Sequence, residues 1–161
     1  MATTTPTAPE KVNLSGATIS INAKSKPADI AVITCFTGEL SLSKGERDFT
    51  EDECHTGTIV GTGPLKYPEG QLDLIFDSAN AAEAQVMLEA ALAQSGDFAN
   101  DHVLQIEVEF NNAKTASTGK GAILKVDVII GSGTATFPVT GNSTYSAKYK
   151  QLGAYSITPA S

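Results

Sequence analysis

Apolar and polar residues alternate along several short stretches of the chain, which is the spacing of a β-strand with one buried face. This alternation predicts five strands, at 17–23, 39–43, 71–76, 103–110 and 144–150. An uninterrupted β-branched run at 30–36 predicts another strand, covered on both faces. Apolar residues on either side of a Gly-Ser-Gly turn at 131–133 predict two more strands, at 122–131 and 134–141.

The alternation also predicts which side chains face the core. Leu40 and Leu42 point inward from the strand at 39–43, as do Leu72, Leu74 and Phe76 from the strand at 71–76. In the strand at 103–110, Glu107 and Glu109 lie on the face opposite to the apolar residues. Pairs of carboxylates on one strand face are normally solvated, so these two acids are not by themselves a catalytic pair.

One segment has helical spacing. Residues 80–96 predict a helix over about 80–95, with a capping box formed by Asn80 and Glu83 and a stop at Gly96. Its apolar stripe consists of Ala84, Met87, Leu88, Ala91 and Leu92. A stripe of this kind normally packs against a sheet rather than holding a cofactor.

The elements predict a single mainly β domain over 13–152: a β-sandwich or partly open barrel of two packed sheets with one flanking helix. The Thr-, Pro- and Ala-rich residues 1–12 predict a flexible arm, and 153–161 a weakly patterned tail. Residues 44–70 contain many glycines and prolines and predict a long extended loop. Loops of such length inside a compact domain are usually functional or disordered.

The loop begins with an unusual acidic segment, ERDFTEDECHTG, at 46–57. Cys54 and His55 are adjacent, whereas zinc ligands are usually separated by two to four residues, and no second Cys/His pair completes four ligands. The carboxylates do not follow the order of a calcium loop. A solvated, metal-free acidic segment is therefore the preferred interpretation.

The other chemical motifs are incomplete. Cys35 lies in an apolar run and fits a small core residue better than a nucleophile, and His102 fits a capping or surface role. TASTGKG at 115–121 lacks the first glycine and the final Ser/Thr of a phosphate-binding loop. GTIVGTG at 57–63 lacks dinucleotide-binding spacing. The sequence therefore predicts no enzyme and no cofactor.

Composition narrows the function classes further. The chain has 161 residues and a formal net charge of −7, which opposes non-specific binding to nucleic acid or to anionic membranes. No apolar run approaches the roughly 20 residues of a membrane helix, and no secretory signal is visible at the N-terminus. The two cysteines, Cys35 and Cys54, are therefore expected to be reduced thiols.

The order of the parts over about residues 14–150 resembles the major tail protein of long-tailed, non-contractile phages. The best match is PEGQLDLIFDSANAAEAQ at 68–85, a strand that leads into a helix. The related tubes of contractile tails and of type VI secretion share this fold. The resemblance implies a virion protein, made in the host cytoplasm, without catalytic residues or a cofactor.

The resemblance also implies partners. Copies of the chain would form stacked rings, hexameric in this family, around a channel for DNA that passes without specific binding. Other tail proteins, such as the tape measure, the tail terminator and the tail tip, would contact the tube. No membrane is involved, and an acidic channel wall would discourage phosphates from sticking.

In this family the long loop contacts neighbouring subunits or the next ring. Residues 1–111 hold 17 acids and 6 bases, whereas 112–161 hold 5 bases and one acid. The hypothesis is that lysines of the second segment meet carboxylates of the 46–53 loop on a neighbouring subunit. The alternative is that this separation along the chain does not persist on the folded surface. The interface residues inferred are Glu46, Asp48, Glu51, Asp52, Glu53, Tyr67, Lys148 and Lys150, with Glu107 and Glu109 facing the lumen or solvent.

Two other function classes remain open from the sequence. A monomeric immunoglobulin-like binding or decoration module of a virion would also be mainly β, although the capped helix between strands disfavours a simple sandwich. An enzyme that uses Cys54 and His55 is disfavoured by the spacing arguments above. Only the tube interpretation predicts rings or filaments.

Overall fold

The computed structural model describes residues 14–75, 81–110 and 121–160, and within these ranges the chain is mainly β-structure with one α-helix, as the sequence predicts. The strands are β1 Thr18–Ala23, β2 Ile30–Ile33, β3 Phe36–Thr37, β4 Phe49–Cys54, β5 Gly57–Thr62, β6 Glu69–Ile75, β7 Leu104–Phe110, β8 Ala122–Thr136, β9 Thr144–Gln151 and β10 Ser156–Thr158. Helix α1 spans Ala81–Ala93, and a 3-10 helix follows at Gly96–Phe98.

The main sheet has the order β2-β1-β7-β8-β9-β6-β3, with β10 paired to β8, and every pairing is antiparallel. Only Thr34 and Cys35 separate β2, at one end of this order, from β3, at the other. So short a link cannot span an open sheet of this width, so the sheet curls until the end of β2 lies close to the start of β3. Across the join, the Ile75 N–H donates to the Cys35 carbonyl oxygen at 3.0 Å.

The core lies on the inner face of this curled sheet. The alternating residues of β1, β6 and β7 are buried there, as predicted: Ile19, Ile21, Leu72, Leu74, Leu104, Ile106 and Val108. Val126, Val128 and Ile130 of β8 are buried on the same face. Helix α1 packs on the same face against β8, β2 and β1. Full burial of each large aliphatic side chain contributes about 1.5–3 kcal/mol, so this face supplies most of the stability of the fold.

The predicted helix is confirmed, and its C-terminal stop is not the predicted one. Ala84, Leu88 and Ala91 are buried on the core side. The helix ends in a Schellman motif in which Gln94, at φ 54°, takes the left-handed position, and the Ser95 N–H bonds to the Ala90 carbonyl oxygen at 3.1 Å. The predicted capping residue Asn80, the predicted inward Phe76 and the predicted arm at 1–12 lie outside the described residues.

The predicted turn at 131–133 is wrong, because β8 is one strand of 15 residues. Its pairing with β9 shifts register between Ile130 and Ser132, so Gly131 lies at a β-bulge. A Cβ atom on Gly133 would lie 2.0 Å from the Tyr145 hydroxyl oxygen. These glycines therefore serve a bulge and a close side-chain approach within a continuous strand, instead of a reversal of the chain.

The predicted strand at 39–43 is also wrong, although its alternation is correct. Leu40 and Leu42 are half-buried and pack against the core. The backbone here bonds to side chains of β9 instead of a neighbouring strand: the Tyr149 hydroxyl donates to the Ser41 carbonyl oxygen at 3.1 Å. Alternation therefore identified the buried side chains without identifying the backbone partner.

Two more expectations need correction. The strand predicted as covered on both faces is an edge strand, since β2 pairs with β1 alone among the described strands, and Ile30 and Val32 are 52% and 40% exposed. The long loop predicted at 44–70 contains the β4–β5 hairpin, which forms a second, two-stranded sheet. Strand β10, in the segment after 152, was not predicted. The described part of the chain holds no helix with the length and hydropathy of a membrane span.

Candidate assembly surface

The β4–β5 hairpin projects from the curled sheet with solvent on both of its faces. Its strands pair from Phe49↔Thr62 to Cys54↔Gly57, and the turn consists of His55 and Thr56 alone. Every residue of β4 is exposed, and β5 is exposed except at the half-buried Gly61. A two-stranded hairpin of this kind is only marginally stable by itself in water, and its exposed apolar side chains make it a candidate contact surface.

Apolar and acidic side chains alternate across the hairpin on both faces. Glu51 lies opposite Val60 on one face, and Asp52 lies opposite Ile59 on the other. Phe49, Val60 and Ile59 are 75%, 60% and 60% exposed. The β-branched residues at 58–60 favour strand β5 although Gly57 and Gly61 lie at either side of them. Each face can therefore bury an apolar patch while its carboxylates meet positive charge.

At the base of the hairpin, the two arms that lead into β4 and out of β5 are joined to each other by a short network. Glu46 and Lys66 exchange two backbone hydrogen bonds at 2.9 and 2.8 Å, and the Arg47 guanidinium donates to the Gly63 carbonyl oxygen at 3.0 Å. The Asp48 carboxylate accepts a hydrogen bond from the Lys66 ammonium, which raises the pKa of Lys66. The predicted interface residue Tyr67 is half-buried at this base, and lies near Gly45.

The exposed thiol of Cys54 lies at the end of β4, next to the hairpin turn. The Cys54 Sγ atom lies 3.0 Å from the Gly57 carbonyl oxygen and 3.3 Å from the Thr56 hydroxyl oxygen, and the bonds with Thr56 lower the pKa of the thiol. No group of three or more His, Cys, Asp or Glu side chains within the described ranges is arranged to hold a metal ion. The metal-free character of this segment stays a prediction.

The predicted partner lysines lie on a different part of the molecule. Lys148 and Lys150 are exposed on β9, opposite Gln71 and Glu69 of β6. No ion pair joins either lysine to a carboxylate in the described parts of the chain. Their positive charge is therefore available to a second molecule, and contact with the hairpin acids of another copy stays a prediction.

Glu107 and Glu109 lie on the outer, polar face of the curled sheet. Glu107 is opposite Lys125 of β8, and both acids are half-exposed. Farther along the same pair of strands, the Asp127 carboxylate accepts a hydrogen bond from the Lys24 ammonium at 2.7 Å. On this part of the outer face, acids and bases are therefore mixed.

Two apolar surfaces were missed by the sequence analysis. The first lies where β2 packs beside α1, with Ile30 and Val86 52% and 63% exposed. The second is the loop between β8 and β9, in which Val139 is fully exposed. The signal for Val139 was present, because Phe137, Pro138 and Val139 follow one another just where a strand must end. For β2, an apolar run cannot by itself distinguish burial by the fold from burial by a partner.

Three solved tail structures contain chains with a similar fold. A chain in the tail of an empty GTA particle, refined with C6 symmetry, aligns over 91% of this chain and 98% of its own length, with 16% identity and a TM-score of 0.56. The SPP1 tail tube aligns over 89% and 76%, with 12% identity and a TM-score of 0.55. A chain in the cap that terminates the anti-feeding prophage tube aligns over 99% of both chains, with 15% identity and a TM-score of 0.56.

No protein-family model matches the chain, and no curated protein matches it. At these identities the similarity to solved structures concerns the path of the backbone and not individual side chains. The alignments cover at least 89% of this chain in each comparison, at TM-scores of 0.55–0.56. The chain therefore has the fold found in phage tail tubes and in related injection-system tubes.

Proposed function

We propose that this protein is a structural subunit of a phage tail tube and assembles with copies of itself. The observation that carries the proposal is the β4–β5 hairpin, which exposes Phe49, Ile59 and Val60 on a two-stranded sheet without a core of its own. Large apolar side chains exposed on both faces of a hairpin that has no core of its own support an interaction site there. The tail-tube fold of the chain makes another copy the natural partner.

In this proposal the subunits form stacked, hexameric rings around a channel through which DNA passes. The C6 symmetry of the GTA tail supports the number six by analogy of fold. The hairpin reaches beyond its own subunit and docks on a neighbour, where its carboxylates Glu51, Asp52 and Glu53 meet Lys148 and Lys150. A closed ring requires such heterologous contacts, in which different surfaces of each copy meet. The net charge of −7 suits a conduit that repels phosphates.

The tube would lie in the virion tail and contact the proteins that set its length and close its ends. The chain itself would catalyse no reaction, because its role is to supply shape, stacking and a smooth wall. The exposed Cys54 and His55 are then parts of a hairpin tip and not a nucleophile and base. Residues 46–53 and Tyr67 belong to the contact between subunits.

Assembly is the property that separates this function from a monomeric binding module. The purified full chain is examined by size-exclusion chromatography and negative-stain microscopy over a range of concentrations. Rings or tubes with a central channel support the proposal. A monodisperse monomer at every concentration and salt would favour the immunoglobulin-like module instead.

A further inference from the structure

An apolar groove of about 630 Å³ opens between β2, α1 and the 3-10 helix. Its walls include Ile30 and Ala31 of β2, Val86 and Met87 of α1, and Phe98. Successive residues of a strand point to opposite faces, so a groove lined by both Ile30 and Ala31 lies at the edge of β2. The groove is therefore a gap at the end of the sheet, beside the helix.

The margin of the groove is acidic. Asp29, Glu83 and Asp97 line it, and of these Asp97 is paired with the Lys26 ammonium at 2.9 Å. The Asp29 and Glu83 carboxylates remain exposed beside the apolar floor. An occupant must therefore be apolar, and it must not bring further negative charge close to these two residues.

One described segment of the chain has these properties. The loop between β8 and β9, at 137–143, contains the apolar sequence Phe137-Pro138-Val139 and no charged residue. It ends a projecting hairpin, because among the described strands β9 alone pairs with the last residues of β8, from Ser132 to Thr136. Val139 is fully exposed at this end. The proline ring restricts the backbone of the loop, so less conformational freedom is lost on binding.

The β4–β5 hairpin, which also exposes apolar side chains, fits the groove less well. Glu51, Asp52 and Glu53 accompany its apolar residues and would approach Asp29 and Glu83. Like charges brought together at a contact oppose association. Charge thus distinguishes the two projecting hairpins: the acidic one suits the lysine-bearing surface, and the uncharged one suits the acidic groove.

We infer that the Phe137–Val139 loop of one copy inserts into the groove between β2 and α1 of a second copy. This contact rests on the proposed self-assembly and adds to it a second interface, independent of the acidic hairpin. The Phe137–Val139 loop and the groove are different surfaces of the subunit. Each copy can therefore place its loop in the groove of one neighbour and accept the loop of another. Such a head-to-tail contact continues into a closed ring or a filament.

Site-directed disulfide formation tests this pairing. In a background with Cys35→Ser and Cys54→Ser, one chain carries Val139→Cys and the other carries Val86→Cys. The two chains are mixed, assembled and treated with copper phenanthroline, which accepts the two electrons released when the thiols join. Two parallel mixtures replace the first chain by Ile59→Cys or by Thr4→Cys, to test the acidic hairpin and the N-terminal residues as occupants.

The inference predicts that the Val139→Cys and Val86→Cys chains form a disulfide-linked heterodimer. This product should be at least tenfold more abundant than the heterodimer in either parallel mixture. A dominant Ile59 or Thr4 product would overturn it in favour of that occupant. Assembled particles without any Val139–Val86 product would overturn it and leave the proposed function standing. Absence of assembly by the unsubstituted chain would contradict both.

A second measurement does not depend on oxidation. Val139→Asp adds a negative charge to the apolar part of the loop, and Asn142→Asp adds the same charge elsewhere in the same exposed loop. The inference predicts that Val139→Asp raises the concentration needed for assembly at least tenfold, and that Asn142→Asp changes it less than threefold. Equal effects of the two variants would exclude insertion of Val139 into an apolar groove.

Discussion

The buried side chain of Gln151 forms hydrogen bonds with both backbone groups of Ser43, as a neighbouring β-strand would. Its carboxamide oxygen accepts a hydrogen bond from the Ser43 N–H at 2.9 Å, and its nitrogen donates to the Ser43 carbonyl oxygen at 2.8 Å. The same nitrogen donates to the Gly153 carbonyl oxygen at 2.9 Å. One residue of β9 thus fixes both the segment that leads to the hairpin and the segment that leads to β10.

Gln151→Leu should lower the free energy of unfolding by about 2–3 kcal/mol. Leucine keeps the volume and removes the partners of the Ser43 backbone groups, and an unsatisfied buried polar group costs about 1–3 kcal/mol. Gln71→Leu is the matched control, because the Gln71 side chain is exposed and its amide bonds, among the described residues, to the side chains of Asp73 and Ser146. Urea unfolding of both variants gives the comparison. Similar losses would mean that the Gln151 contacts have no special role.

Gly70→Ala should destabilise the fold by about 1–3 kcal/mol, the usual cost of overpacking a core. A Cβ atom there would lie 2.3 Å from the ring of Tyr149, which is buried on the facing strand. Gly153→Ala provides the control, since nothing lies within 4 Å of its added methyl group. Thermal unfolding should show a lower midpoint for Gly70→Ala alone. An unchanged midpoint would show that Tyr149 moves aside at no cost.

The thiol of Cys54 should react at a lower pH than an ordinary cysteine, because its hydrogen bonds with Thr56 lower the pKa. A lower pKa gives more thiolate at a given pH, and the thiolate is the nucleophile. In a Cys35→Ala background, Thr56→Val should move the pH profile of iodoacetamide alkylation upward. Thr58→Val, the same change two residues along, should leave the profile in place. Coincident profiles for all three proteins would exclude the role given to Thr56.

A charge exchange tests the hypothesis that the hairpin acids meet β9 lysines of a neighbour. Reversing Glu51, Asp52 and Glu53 to Lys, or Lys148 and Lys150 to Glu, should slow assembly of folded subunits, and combining both sets should restore it. Exposed ion pairs contribute only about 0.2–1 kcal/mol each, so the effect should appear mainly in assembly rate and register. Normal assembly of both separate variants at low salt, where screening is weakest, would contradict the hypothesis.

The sequence predicted the elements whose signal is local. The alternation of Ile19 and Ile21 located β1, and the spacing of Ala84, Leu88 and Ala91 located the buried face of α1. Both patterns arise from burial against the chain's own core, so the sequence records them directly. The tail-tube fold could also be predicted, because the order of strands, loop and helix along the chain resembles that of the family.

Features that depend on distant contacts were not predicted. Gly133 looked like part of a turn because its partner, Tyr145, approaches from another strand. Ser41 and Ser43 looked like strand residues because their backbone partners are side chains more than 100 positions away. The hairpin was missed because β4, which contains Glu51 and Asp52, is exposed throughout, so no core face imposes an alternation of apolar and polar residues on it.

Hydrogen exchange at the amides of Phe49–Thr62 tests the central claim most directly, because that claim is that a partner copy covers the β4–β5 hairpin. The full chain is compared as the dilute subunit and as the assembled particle, with the amides of Leu104–Phe110 in the central strand as internal reference. The account predicts rapid exchange of the hairpin in the subunit and at least hundredfold slower exchange in the particle, with little change in the reference strand. Equal exchange of the hairpin in both states would show that it is not an assembly surface.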